Sequence, residues 1–312
     1  MSLDEKFEYE FMVKRIGLKS RFILGVSGGP DSMWMLYLMK DLDIVVATVN
    51  YNKREDSWKD QQIVEDFCKQ HNIKYEILSI DKDYKYEGNF QKIAREQRYD
   101  FYKKLYDKYK AKYLVLAHHK DDSIETYLFQ KETKRKPRIF GISSLVNING
   151  MKVFRPMVNL WFKDEIEKFC TQNNVPYAID SSNEQPIYTR NKIRLKLKKM
   201  SLDQKNRIHK KIRIETQINL VKFSVAEELY EELEKKQFAY KWLKENFHFI
   251  HMCGPEVMFQ FVHRNIPNAK ISYAKLQSLH VFVLSQKNFK SFKISNNISL
   301  IKQDGILKIK ET

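Results

Sequence analysis

The sequence contains only three cysteines, Cys68, Cys170 and Cys253, and they are widely spaced. An odd, scattered set builds no disulfide framework. With no C-x-x-C pair, a zinc knuckle or an iron–sulfur cluster lacks its motif. Free thiols fit a reducing compartment. No run of apolar residues is long enough to span a bilayer, so no membrane span is expected. The first residues, MSLDEKFEYEF, are charged and carry no apolar signal core, so the expected location is cytoplasmic. No internal repeat is visible. Acidic residues are also short, at 39 Asp and Glu against 56 Lys and Arg, a net charge of +17. That excess points to a polyanionic partner such as nucleic acid; a lysine-rich soluble surface is the plainer alternative. What remains is a 312-residue chain, 43% hydrophobic, long enough for one large domain or two ordinary ones with a real core.

The first half alternates apolar runs with helical spacing. Residues 22–26 (FILGV), 43–49 (DIVVATV), 75–80 (YEILSI) and 113–117 (YLVLA) read as strands. Residues 32–40, 57–71, 90–110 and 121–131 read as the helices between them. This order predicts an α/β fold, a doubly wound, mostly parallel sheet covered on both faces. The character changes after about residue 195. Residues 190–213 hold eleven Lys or Arg and one Asp, and 222–247 read as one long helix. Residues 291–300 and 306–310 flank Gln303-Asp304-Gly305, a hairpin signal. The expected organisation is a catalytic domain over 1–215 and a smaller helical/α+β domain over 216–312.

The stretch RFILGVSGGPDSMWMLYL places Ser27-Gly28-Gly29-Pro30-Asp31-Ser32 between the first strand and the first helix. In a doubly wound sheet, ligands bind beyond the carboxyl ends of the strands. Two glycines let the backbone turn tightly, and Pro30 suits a first helical turn, where no N–H is needed. The amides that follow, with the Ser27 and Ser32 hydroxyls, then suit a phosphate. No Gly-Lys-Ser/Thr ends the loop and no G-x-G-x-x-G is present, so neither common phosphate motif applies. Asp31 inside an anion cradle requires a cation, and Mg²⁺ typically takes one or two carboxylates plus phosphate oxygens. The alternative is an ordinary strand–turn–helix corner with helix-start residues.

A second cluster, AHHKDDSIET over 117–126, follows the fourth strand. Asp122 and Glu125 are three apart, so both project from one helix face. They suit an ammonium ion or a metal, or simply the positive end of the helix. His118 and His119 lack an H-E-x-x-H spacing or a third soft ligand for zinc.

The SGGPDS loop resembles the SGGxDS loop of the N-type ATP pyrophosphatases, the PP-loop superfamily with a Rossmann-like sheet. The HHKDDSIET segment resembles the HHxxDDxxET signature of the tRNA(Ile)-lysidine synthetase family. VNYNKRE (49–55), NFQKIAREQRYDF (89–101), FRP (154–156) and DSSNEQPIYTRNKIR (180–194) resemble further segments of that family in the same order. The resemblance covers about residues 20–195. Three departures stand out: Tyr51 replaces a histidine, residues 131–138 are the basic KETKRKPR, and no proline follows Arg194.

The resemblance implies an enzyme that uses ATP and Mg²⁺ to adenylate the wobble cytidine of a CAU-anticodon isoleucine tRNA. Free L-lysine then displaces AMP to form lysidine. Ser27, Gly28, Gly29, Pro30, Asp31 and Ser32 would bind ATP, with Asp31 on the metal. Asp122 and Glu125 would bind lysine. Asp31, Asp122, Glu125 and Arg194 would form the catalytic set, with His118 or a carboxylate taking the amine's proton. Arg98, Lys134, Arg135, Arg190 and Arg194 would meet tRNA or phosphate. Oligomeric state is left open, a homodimer being one arrangement. The competing readings are another adenylating PP-loop enzyme, acting on tRNA or a small molecule, and a non-catalytic RNA- or nucleotide-binding protein.

Overall fold

The computed structural model describes residues 3–53, 56–84, 86–178, 189–245, 247–285 and 291–311. The chain forms two compact units, Met1–Phe129 with Gly141–His209, and Gln130–Phe140 with Lys210–Thr312. The sequence reading set its boundary at 215; the units part at 209/210, and the segment 130–140 goes with the second.

The first unit opens with helix α1 (Leu3–Val13), followed by β1 (Phe22–Gly25), α2 (Pro30–Met39), β2 (Ile44–Asn50), α3 (Ser57–Gln70), β3 (Lys74–Ser79), α4 (Phe90–Lys108), β4 (Tyr113–Leu116) and α5 (Lys120–Glu132). The hairpin β5 (Leu145–Ile148) and β6 (Met151–Phe154) comes next, then a 3-10 turn (Pro156–Asn159), α6 (Lys163–Gln172) and α7 (Thr189–Lys198). The strands lie in the order β3-β2-β1-β4-β6-β5, with only β5 antiparallel. The doubly wound reading is borne out. The order reverses between β1 and β4, so the SGGPDS and HHKDD turns flank the switch point of the sheet.

Burial on both faces explains the unbroken apolar runs. Phe22 and Leu24 face a core with Met33, Trp34 and Trp161, while Ile23 faces Tyr102 and Leu105 of α4. Helix α1 was not expected from the sequence. Its Phe11 is 1% exposed, with its ring 4.9 Å from Phe154 and 5.9 Å from Phe22, both edge-on. The β5–β6 hairpin turns at Asn149-Gly150, both with positive φ, a turn dipeptide that the reading passed over.

The second unit contains the greater part of α8 (Leu202–Lys235), then α9 (Tyr240–Glu245), α10 (Phe247–Asn265) and α11 (Tyr273–Leu284). A sheet of β7 (Ser291–Lys293), β8 (Ile298–Gln303) and β9 (Ile306–Glu311) follows. Tyr230, Leu233, Phe261, Leu279 and Leu300 lie in its own core. The long helix expected over 222–247 is corrected to 202–235. It starts early because Ser201 and Gln204 form a reciprocal capping box, at 2.9 and 3.3 Å. It stops because Gln237 and Phe238 both enter the left-handed region. The strand expected over 291–300 is two strands, and the Asp304-Gly305 turn joins β8 to β9 as expected. No helix among the described residues is long and apolar enough to cross a membrane.

Phe11→Ala should cost about 3–5 kcal/mol, because α1 loses the side chain that holds it to two strands. Denaturant unfolding followed by circular dichroism measures this.

Candidate active site

The loop after β1 is built to expose amides. Gly28 has φ of 83°, a conformation that L side chains rarely adopt. A Cβ there would also lie 2.6 Å from the carbonyl oxygen of Asp60 at the start of α3. Gly29 sits at the N-cap of α2 with no side-chain cap, and Pro30 takes the first turn. The amides of that turn are left for an anion. Ser32 Oγ accepts from the Ser27 amide at 3.1 Å and donates to the Gly29 carbonyl at 3.0 Å. It also lies 3.2 Å from Ser27 Oγ. Ser32 thus fixes the loop from inside, while Ser27 stays exposed for a ligand.

The turn after β4 meets this loop through His119, which is 6% exposed. Its Nε2 lies 3.6 Å from Asp31 Oδ2 and 3.5 Å from Asp122 Oδ2, and its Nδ1 lies 3.7 Å from Asp121 Oδ2. The His119 amide also donates to Asp122 Oδ2 at 3.0 Å. Burial opposes a charge on this imidazole. Asp122, Asp31 and Asp121 outweigh it and hold His119 up at about 9. Burial is likewise the largest influence on Asp122 and pushes its pKa upward. His119, His118, the amide bond and Arg194 reverse it and hold the carboxyl below its ordinary value. His118 goes the other way, pushed down to about 4 by burial, with Arg155, His119 and Arg98 adding to the effect against Asp122. The two neighbouring histidines therefore carry different charges at neutral pH.

Asp121 anchors the cluster from behind. It accepts from Lys205 Nζ at 2.9 Å and from the Lys163 amide at 2.8 Å, which caps α6. Lys205 is 5% exposed and also lies 3.4 Å from Asp164. Glu125, one turn along α5, accepts from Arg194 Nε at 2.7 Å. Glu125 is buried, whereas the Arg194 side chain is half exposed.

The PP-loop domain model matches residues 3–201. A tRNA(Ile)-lysidine synthase from Mycoplasmopsis pulmonis is 39% identical over 293 residues, covering 92% of this chain and 98% of that one. One from Mesomycoplasma hyopneumoniae is 30% identical, over 93% and 95%. This chain belongs to the tRNA(Ile)-lysidine synthase family. The fold is also that of a U34-tRNA thiolase from Methanococcus maripaludis, with a TM-score of 0.54, 17% identity and coverage of 69% and 78%.

Within this PP-loop unit the structure brings Asp31, Asp122, Glu125 and Arg194 to the carboxyl ends of β1 and β4. Arg98, on α4, is close enough to act on His118 and Tyr51. Arg190 begins α7, its side chain outside the described residues, as is the DSSNEQPIY segment. Lys134 and Arg135 are not part of this unit; they follow α5, in the second. Tyr51, in the family's histidine position, donates to the Ala94 carbonyl at 2.7 Å and so fastens β2 to α4.

Asp121, Lys205 and Arg155 went unassigned in the sequence reading. Lys205 lies inside the basic run 190–213; burial and ion pairs with Asp121 and Asp164 take it out of the charged surface that the run offers a polyanion. Its pairing depends on residues about 40 and 80 positions away in sequence, and no local pattern signals that. No group of three or more His, Cys, Asp or Glu able to hold a metal occurs among the described residues. Asp31 Oδ1, however, is buried without a hydrogen-bond partner, which fits a Mg²⁺ ion completed by phosphate oxygens.

Gly28→Ala must displace the first turn of α3, and kcat/KM for ATP should fall about a hundredfold, measured by pyrophosphate release. In an NMR titration the His119 imidazole should lose its proton near pH 9 and the His118 imidazole should gain one near pH 4. His119 stabilises the fold fully below its ordinary value of 6.5 and loses that contribution as pH rises to about 9.

Proposed function

We propose that the protein is a cytoplasmic ligase that joins L-lysine to carbon two of the wobble cytidine in a CAU-anticodon isoleucine tRNA, converting ATP to AMP and pyrophosphate. The observation that carries this reading is the meeting of Asp31 with Asp122 across the switch point, in a chain of the lysidine synthase family.

Cytosine presents a poor electrophile at carbon two and a poor leaving group in its oxygen. Attack of that oxygen on the α-phosphorus of ATP forms an O–P bond and releases pyrophosphate. The lysine ε-amine then forms the C–N bond, the C–O bond breaks, and the oxygen leaves with AMP. The Ser27–Ser32 loop holds the phosphates with its amides and hydroxyls. Mg²⁺ on Asp31 would supply compensation for phosphate charge. His119, cationic and fixed between Asp31 and Asp122, adds a positive charge beside the phosphates and keeps both carboxylates in place.

Asp122 and Glu125 give the cationic substrate an acidic lining. The Arg194–Glu125 pair means that an incoming ammonium competes with a guanidinium for Glu125. One lysine proton must leave before attack. His119 already holds its proton, and Asp122, kept below its usual value, is a weak base. The neutral His118, whose Nδ1 is buried without a hydrogen-bond partner among the described residues, or a carboxylate of the site is left to take it. Arg98 and Arg194 supply positive charge for phosphate or for the target nucleotide. The basic segment 131–138, with Lys134 and Arg135, and Arg190 in α7 suit the tRNA backbone.

Labelled lysine should enter a CAU-anticodon isoleucine tRNA transcript in the presence of ATP and Mg²⁺, should not enter a methionine tRNA, and should be lost in Asp31→Ala. ATP cleaved to AMP with some other acceptor, and no lysine incorporated, would favour a different adenylating enzyme. Binding of ATP or tRNA with no AMP formed would favour a non-catalytic binding protein.

A further inference from the structure

The carboxyl ends of β2 and β3 carry aromatic side chains that the sheet core does not use. Tyr51 follows β2, Trp58 is in the first turn of α3, Tyr84 and Tyr86 follow β3, and Phe90 opens α4. Four of the rings meet edge to face. Tyr84 lies 4.8 Å from Tyr86, Tyr86 lies 4.6 Å from Phe90, and Phe90 lies 5.9 Å from Tyr51. Trp58 is 58% exposed and Tyr84 is 45% exposed.

A cation borders the same rings: Lys53 Nζ lies 3.1 Å from the centroid of Phe90 and 5.5 Å from that of Tyr86. The large apolar side chains exposed along 51–90 are aromatic, with no aliphatic one among them. A protein-docking patch usually mixes the two. The Tyr86 hydroxyl is buried and has no hydrogen-bond partner among the described residues, although a buried phenol ordinarily finds one. An exposed aromatic row flanked by a lysine suits stacked bases joined by phosphates.

The row of rings from Tyr84 through Tyr86 and Phe90 to Tyr51 offers more faces than the one adenine of ATP can fill, which favours a run of RNA bases. We infer that Tyr84 and Tyr86, bordered by Lys53, form a stacking platform for unpaired anticodon-loop bases, with Lys53 meeting a phosphate between them. This inference rests on the proposed tRNA reaction.

The test compares binding of a CAU anticodon stem-loop RNA with binding of the same RNA made abasic in its loop. The full-length chain and two double variants are used, with ATP kinetics measured alongside. Tyr84→Ala with Tyr86→Ala should weaken binding of the base-bearing loop about tenfold, leave the abasic RNA unchanged and leave KM for ATP unchanged. Tyr84→Phe with Tyr86→Phe should restore binding. Alanine variants that bind the base-bearing loop as tightly as the parent, or that lose both RNAs equally, would overturn the platform alone. So would a rise in KM for ATP with RNA binding intact. A parent chain that binds neither RNA would overturn the proposed reaction, and the platform with it.

Discussion

The site depends on one buried cation. His119 stands among Asp31, Asp121 and Asp122, contributed by two turns that are far apart in sequence. Two unit charges 4 Å apart interact by about 4 kcal/mol at an effective dielectric constant of 20. Without the imidazolium, the first and fourth strand–helix turns would bring carboxylates together with little to offset their repulsion. With it, the loop after β1 and the acidic helix α5 face a common space. The raised pKa of His119 and the lowered pKa of Asp122 are two consequences of the same arrangement.

That cation needs support from behind. Lys205 neutralises Asp121, which in turn caps α6 and faces the other nitrogen of His119. A buried ion pair of this kind contributes little net stability, but loss of one partner leaves an uncompensated charge. Its value here lies in orientation. The histidine next in sequence, His118, is neutral because burial, helped by Arg155, His119 and Arg98, outweighs Asp122. Two adjacent imidazoles thus differ in charge because their surroundings differ.

Much of this was legible in the linear chain. The alternation of buried runs and helical spacing predicted the parallel sheet, because strands covered on both faces must be apolar throughout. The SGGPDS and HHKDDSIET segments marked the site because phosphate cradles and acidic helix faces use local backbone geometry. Elements built on long-range contacts were not visible. Helix α1 is held by Phe11 against Phe22 and Phe154. The start of α8 was hidden by a lysine-rich composition, although its Ser201–Gln204 capping box is local.

The sequence by itself determined the sheet class, the phosphate loop, the acidic helix face and the family resemblance. Each is read from short local segments, within which backbone geometry decides what faces what, taken in their order along the chain. Only the tertiary structure decided that His119 is the shared counter-ion, that Lys205 is buried, and that Glu125 is already held by Arg194. The charge state of a buried group follows from what surrounds it in space, and that is settled only when distant segments pack together.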